Sequence, residues 1–430
     1  MMSGQSISPK RRRFSLLLIR LLIIFSMIFS GLNFRVFALN EDDKPQTEAV
    51  SALLFDARRG QLIISKTSDE VSHSSLANRI MAALIVLEKA DIEAMVTASK
   101  DAANTEGATL KLSVGEKYAV KNLLNALLLT GSPDAAKAIA EYVGGSESGF
   151  VAMMNEYTTK LSMKDTHFMN STGSYDEDQY TTIDDTAILM KYALSNNDFN
   201  RFFGTQAKPW YDETKTLLLT NTNNMFWAYP DTDGGITATF NKDLQSIVTT
   251  VTKNNMRLVC VLLDVPTKDI YTDTINLLNY GFENYLYGTL VSAGSSQKVV
   301  TVEEQALNLV PATDVHYIYP KGQNLIKSFN INVDDSKLKP PITKNTIIGM
   351  LTYTLTDGTV INVELYPDRE ILPQKTKSQL LKEQLVESRE LIYVIIGLII
   401  IELAIMIYKL YRFFRKQLIL ARSKKSRHLH

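Results

Sequence analysis

His73 to Ala90 reads HSSLANRIMAALIVLEKA. From Leu76 onward Ile80, Ala83, Leu84 and Leu87 recur at helical spacing, so the segment predicts a helix with one apolar face. Residues three and four apart then share a side of that helix, which decides which side chains at its start can act together. The same periodicity returns in VKNLLNALLL (Val120 to Leu129) and DAAKAIAEYV (Asp134 to Val143).

Strand signals flank this helical middle. ALLFDARRGQLIISK (Ala52 to Lys66) sets two apolar runs around Arg58-Arg59-Gly60, and LQSIVTTVTKNNMRLVCVLLDV (Leu244 to Val265) does the same around Lys253-Asn254-Asn255. Both read as hairpins. From Val291 to Pro367 the runs are short, with Asp357-Gly358 as the turn of IIGMLTYTLTDGTVINVEL, which predicts a small all-β module.

The two ends point to a membrane. Lys10 to Arg13 precede the apolar FSLLLIRLLIIFSMIFSGLNF, and Val36-Phe37-Ala38 offers the small residues of a cleavage site. Arg20 interrupts the run, so a signal peptide and an uncleaved signal anchor both stay open. Thr376 to Val394 continues helically into LIYVIIGLIIIELAIMIY (Leu391 to Tyr408), whose one charge is Glu402. Lys409, Arg412, Arg415, Lys416, Arg422, Lys424, Lys425 and Arg427 follow, the pattern of a transmembrane helix with its basic end inside. A carboxyl in hydrocarbon is costly, so Glu402 predicts a partner on another membrane helix, or else a reach to the interface. Lys plus Arg and Asp plus Glu both number 46, and this balance gives no reason to invoke nucleic acid. Cys260 is the one cysteine, so no internal disulfide staples the exported part.

From about Glu48 to Tyr285 the chain resembles the penicillin-binding D-alanyl-D-alanine carboxypeptidases, serine peptidases that trim peptidoglycan stem peptides. The landmarks are LLFDARRGQLI, RIMAALIVLEKA, LSVGEKYAVKNLLNALLL, DAAKAIAEYVGGS, FVAMMNEYTTKLSMKDTHFMNSTG, YTTIDDTAILMKYAL, NTNNMFW and LLNYGFENY, in that order. The resemblance implies an α+β fold: a serine DD-peptidase or β-lactamase-like sheet with helices, then a small all-β domain and a C-terminal transmembrane helix. With the end segments read above, it divides the chain into a signal peptide or signal anchor over 1–38, a carboxypeptidase-like domain over 48–285 and a β domain over 291–367. A juxtamembrane helix over 374–390, a membrane helix over 391–408 and a basic cytoplasmic tail over 409–430 complete it.

The family's chemistry needs three elements around one cleft. In S-x-x-K the lysine, one turn from the serine, takes the hydroxyl proton as the serine attacks a carbonyl. An S-x-N loop supplies a second hydroxyl and an amide. A K-T-G strand supplies charge and hydroxyl for the substrate carboxylate, and its glycine permits close approach. Aligned through RIM, the first element places Leu76 at the serine and Arg79 at the lysine. Leucine has no nucleophile, and a guanidinium with pKa above about 12 is no base near neutrality. The second becomes Gly131-Ser132-Pro133, and the third Ile236-Thr237-Ala238, where only Thr237 stays in register. Ser75 and Ser132 are the fallback nucleophiles, although Asn78, three residues after Ser75, is no base.

No other chemistry replaces it. His73, His167, His316, His428 and His430 show no metal-ligand spacing, and no cofactor motif occurs. His73 reads as an exposed residue ahead of the helix, Cys260 as a core residue, Asp184-Asp185 as helix-start charges, and Asp231 to Gly235 as a turn. The resemblance therefore implies a membrane-bound extracytoplasmic relative without catalysis. Its expected partners are a peptidoglycan stem peptide or a cell-wall enzyme. The alternative is an active serine-type carboxypeptidase with a non-standard site.

Overall fold

A computed structural model describes residues 44–67, 70–240, 242–374, 377–387 and 389–426. The signal read over 1–38 lies outside these residues.

The first sheet is antiparallel and has the order β2-β1-β9-β8-β7. β1 (Ser51–Asp56) and β2 (Leu62–Lys66) form one hairpin. Two short antiparallel pairs follow, β3 (Met95–Thr97) with β4 (Lys117–Ala119) and β5 (Ala207–Tyr211) with β6 (Thr216–Thr220). β7 (Thr232–Thr239) pairs with β8 (Leu244–Lys253), which returns as β9 (Met256–Pro266). The β8–β9 turn takes φ of 52° at Asn254 and 63° at Asn255, the left-handed pair that a two-residue hairpin requires and asparagine tolerates. Asp231 alone of the Asp231 to Gly235 stretch is a turn residue with positive φ, since Thr232 to Gly235 already belong to β7.

Alternation along β1 sends its side chains to two cores. Leu53 and Phe55 join the core around the helix Leu76–Lys89, whereas Ala52 and Leu54 pack with Leu277 and Leu278 of the helix Ile270–Asn284. The sheet is thus covered on both faces. Leu76–Lys89 departs from the one-faced helix its periodicity predicts, because every residue from Leu76 to Val86 is buried, Asn78 and Arg79 included. The helices Val120–Thr130, Pro133–Gly144, Glu147–Leu161 and Ile183–Leu194 lie in the same core, so a helix without a solvent face must find partners for its polar side chains.

β10 (Tyr285–Val291) pairs with β13 (Val315–Pro320). β11 (Lys298–Val302), β12 (Gln305–Pro311), β14 (Ile326–Val333), β15 (Gly349–Leu355) and β16 (Val360–Pro367) form a second sheet of order β11-β12-β16-β15-β14. β15 alternates buried and half-buried residues and β16 mostly buried and exposed ones, the mark of a sheet with one apolar face. The chain ends in the helices Lys377–Glu387 and Arg389–Ser426. The latter does not stop at Tyr408, and carries the apolar run and the basic residues from Lys409 to Lys425 in one helix. Within it, Ile392–Leu418 is 27 residues of mean hydropathy 2.3, none of them buried. At 1.5 Å per residue that is about 40 Å, enough to cross a bilayer core of about 30 Å.

Candidate functional site

A cavity of about 560 Å³ opens where the starts of the core helices meet β7, and Ser75, Arg79, Gly131, Thr237 and Ala238 contribute to its wall. Four other residues picked from sequence do not line it: Leu76, Ser132, Pro133 and Ile236.

Ser75 immediately precedes the helix, its hydroxyl forms no hydrogen bond among the described residues, and its carbonyl accepts from Arg79 N at 3.1 Å. Leu76, one residue on, turns the other way and is fully buried in the core. A side chain there faces the core and not the cavity.

Arg79 is 4% exposed. Its Nε donates to Leu127 O at 3.0 Å, Nη2 to Leu128 O at 2.5 Å, and Nη1 to the Thr237 carbonyl. The guanidinium therefore ties the end of helix Val120–Thr130 to β7 through main-chain oxygens. No carboxylate pairs with it among the described residues. Burial alone pulls its pKa down to about 10, which still leaves it a cation at neutral pH and no proton acceptor.

Gly131 makes this arrangement possible. It ends the helix Val120–Thr130 in the left-handed conformation, φ 68° and ψ 30°, and a Cβ there would lie 3.2 Å from Arg79 Cζ and Nη1. Ser132 caps the next helix, buried, with its hydroxyl 2.8 Å from Thr130 Oγ1, and Pro133 takes the first helical position, where its missing N–H costs nothing. On β7 Ile236 points into the core, Thr237 Oγ1 donates to Thr222 Oγ1 at 2.9 Å, and Ala238 leaves a bare methyl on the cavity wall.

Sequence reasoning missed Thr130, Thr222, Asn224, Gln245, Thr267 and Tyr271, which also line the cavity. Tyr271 Oη donates to Thr222 O at 3.2 Å and accepts from Asn224 N at 3.3 Å, joining the helix Ile270–Asn284 to the NTNN stretch. Only NTNNMFW carried any signal; the rest are neutral residues scattered along the chain. Among the described residues the wall is thus hydroxyl- and amide-rich, with Arg79 its one charged member.

Among the described residues no base forms a hydrogen bond with the Ser75 hydroxyl. His73 is half-buried and not exposed: its Nδ1 lies 2.6 Å from Gln179 O, and its ring packs on Tyr175 and Phe240. Asp185 does more than neutralise a helix start, since its buried carboxylate accepts from Asp165 N and the Thr166 hydroxyl, both at 2.8 Å. Cys260 is fully buried and its thiol pKa is pushed up by desolvation, so it stays protonated. Among the described residues no group of three or more His, Cys, Asp or Glu is placed to hold a metal ion.

Comparison with known proteins places these features. Residues 38–267 match the family described as D-alanyl-D-alanine carboxypeptidase, and residues 285–372 match the penicillin-binding protein 5 C-terminal domain. Among curated relatives, D-alanyl-D-alanine carboxypeptidase DacF of Bacillus subtilis is 28% identical over 326 residues, 73% of this chain and 83% of the relative. DacC of Escherichia coli is 25% identical over 331 residues, 73% and 82% of the two chains. Among solved structures, penicillin binding protein 5 from Haemophilus influenzae superposes with a TM-score of 0.64 at 23% identity, covering 78% of this chain and 100% of that one. A peptidoglycan synthesis regulatory factor from Streptococcus pneumoniae gives 0.64 at 22%, covering 76% and 100%.

Proposed function

Because this chain belongs to the D-alanyl-D-alanine carboxypeptidase family, we propose that it retains the family's fold and cleft without hydrolysis, and binds a peptidoglycan stem peptide or a cell-wall enzyme. The observation that carries this reading is the fate of one residue. Arg79, aligned with the family's lysine, spends its donors on the Leu127, Leu128 and Thr237 carbonyls. A lysine there would accept a proton; this guanidinium holds helix to strand. With Leu76 buried in the core there is also nothing in register for a base to activate. Loss of the nucleophile alone lowers turnover in a serine hydrolase by about a millionfold.

The apolar helix supports anchoring. In this reading Ile392–Leu418 crosses the cytoplasmic membrane, residues from about 39 to 390 lie outside, and the basic residues from Lys409 onward lie inside. Glu402 lies within that span and bonds a polar or basic group on another membrane helix, from a second copy or an envelope enzyme.

The test uses the full chain in detergent and a labelled pentapeptide ending in D-Ala-D-Ala. Equilibrium dialysis should retain the peptide while the D-alanine assay stays at the buffer blank. Release of D-alanine at catalytic rates would overturn the loss of hydrolysis and favour Ser75 or Ser132 as a working nucleophile.

A further inference from the structure

We propose that Asp56 and Gln61 share a buried proton, and that this proton works a pH-dependent clasp between the β1–β2 hairpin and the Asp357-Gly358 turn. The inference stands independently of the reading of the cleft.

Asp56 closes β1, and Gln61 leads back into β2 across the turn Ala57 to Gly60. Phe55 stands opposite Leu62, and Asp56 N donates to Gln61 O at 3.0 Å. Asp56 and Gln61 are therefore the next facing pair, and facing side chains of a hairpin lie on the same side of it. Both are buried, Asp56 at 3% exposure and Gln61 at 1%. Among the described residues, Asp56 Oδ1 and Gln61 Oε1 are the two buried side-chain atoms without a hydrogen-bond partner. That the two orphans are one facing pair is the observation that carries the proposal.

Both atoms are acceptors, and an acceptor buried without a donor is destabilising. The donors nearby are already used. Asp56 Oδ2 accepts from Arg59 N at 2.9 Å, and Gln61 Nε2 donates to Asp357 Oδ2 at 3.1 Å. Arg58 bonds the Tyr287 hydroxyl and lies over its ring, and Arg59 Nε donates to His316 O at 2.8 Å. Arg257 on β9 pairs with Asp233, and Lys191 lies against Gly60. Tyr285 and Tyr287 stay neutral phenols, raised by burial. One proton on Asp56 Oδ1 converts a clash of acceptors into a hydrogen bond that satisfies both atoms. Burial favours that form and holds the Asp56 carboxyl above its ordinary 3.8, against the Arg59 N–H and the charges of Arg58 and Arg59.

The clasp follows from the single amide of Gln61. With the proton in place, Oε1 accepts from Asp56 and Nε2 is free to hold Asp357. When the proton leaves to solvent, the buried Asp56 anion faces Oε1 and draws the amide round to donate Nε2 instead. That turns Oε1 towards the Asp357 carboxylate and releases the Asp357-Gly358 turn. Because the folded chain keeps the proton to a higher pH than the unfolded chain, the stability drawn from it falls as pH rises from 3.8 through the raised value.

The experiment records infrared spectra and hydrogen exchange of the full chain in detergent across a pH series. The wild type should show a protonated-carboxyl stretch that persists above the pH at which exposed carboxyls ionise, and Asp56→Asn should lack it. Exchange at Gly358 and Thr359, corrected for its intrinsic pH dependence, should lose protection as that band disappears. Asp56→Asn should keep the protection throughout, since its amide donates to Gln61 at every pH. If Asp56→Asn does not fold, the two wild-type titrations must still coincide. A wild type whose carboxyls all ionise together would overturn the shared proton, and protection indifferent to the band would overturn the clasp. A thermal midpoint raised by potassium or calcium in the wild type and not in Asp56→Asn would assign the two oxygens to a cation and overturn the proposal.

Discussion

At the residue scale, Leu76 and Arg79, which the proposed reading aligns with the family's serine and lysine, both serve the packing of the core. Leu76 is enclosed by the core, so Leu76→Ser removes packed methyl groups and inserts a hydroxyl. Cavity formation at such a leucine costs about 2–5 kcal/mol, and urea unfolding should show a loss within that range. The double variant Leu76→Ser, Arg79→Lys should not reach ordinary carboxypeptidase rates in a D-alanine release assay. Lysine cannot replace the three carbonyl bonds, and Pro133, Ile236 and Ala238 still lack the groups the chemistry uses. Ordinary rates from those two changes would show that the other elements matter less than claimed. The identities at these positions were legible in the sequence, because residue type alone says that leucine is no nucleophile and arginine no base. Where the guanidinium goes was not legible, since its partners are main-chain oxygens that any residue would present.

At the element scale, local chemistry was readable where it is self-contained. Asn254-Asn255 specify their own turn by tolerating positive φ, and the β8–β9 hairpin follows. The burial of Leu76–Lys89 on all sides was not readable, since periodicity sees one face and the helices around it close the other. The helix Arg389–Ser426 carries its own test. In cells stripped of their wall, added protease should remove the large domain and spare an epitope placed beyond Lys409; protection of the domain would reverse the proposed topology. In the same membranes Glu402→Leu should lose a crosslinked species that Glu402→Gln keeps, because the amide still hydrogen-bonds. Crosslinks indifferent to leucine would remove Glu402 as a contact.

At the scale of the whole molecule, the cavity depends on residues from Ser75 to Tyr271, brought together only when the sheet and the helices over it are assembled. Order and spacing of many landmarks made the family visible in the sequence, whereas the neutral wall of threonines and amides was not, because such residues carry no spacing rule. In the proposed reading the same assembly lets the fold stand without the family's chemistry. Arg79, Gly131 and Thr237 join helix to strand with main-chain bonds and close packing, and none of this needs a nucleophile. The most direct test of that account is the mass of the intact full-length protein after incubation with excess benzylpenicillin. An unchanged mass, with no serine acylated, is the predicted result; a stoichiometric penicilloyl adduct on Ser75, Ser132 or any other serine would contradict it.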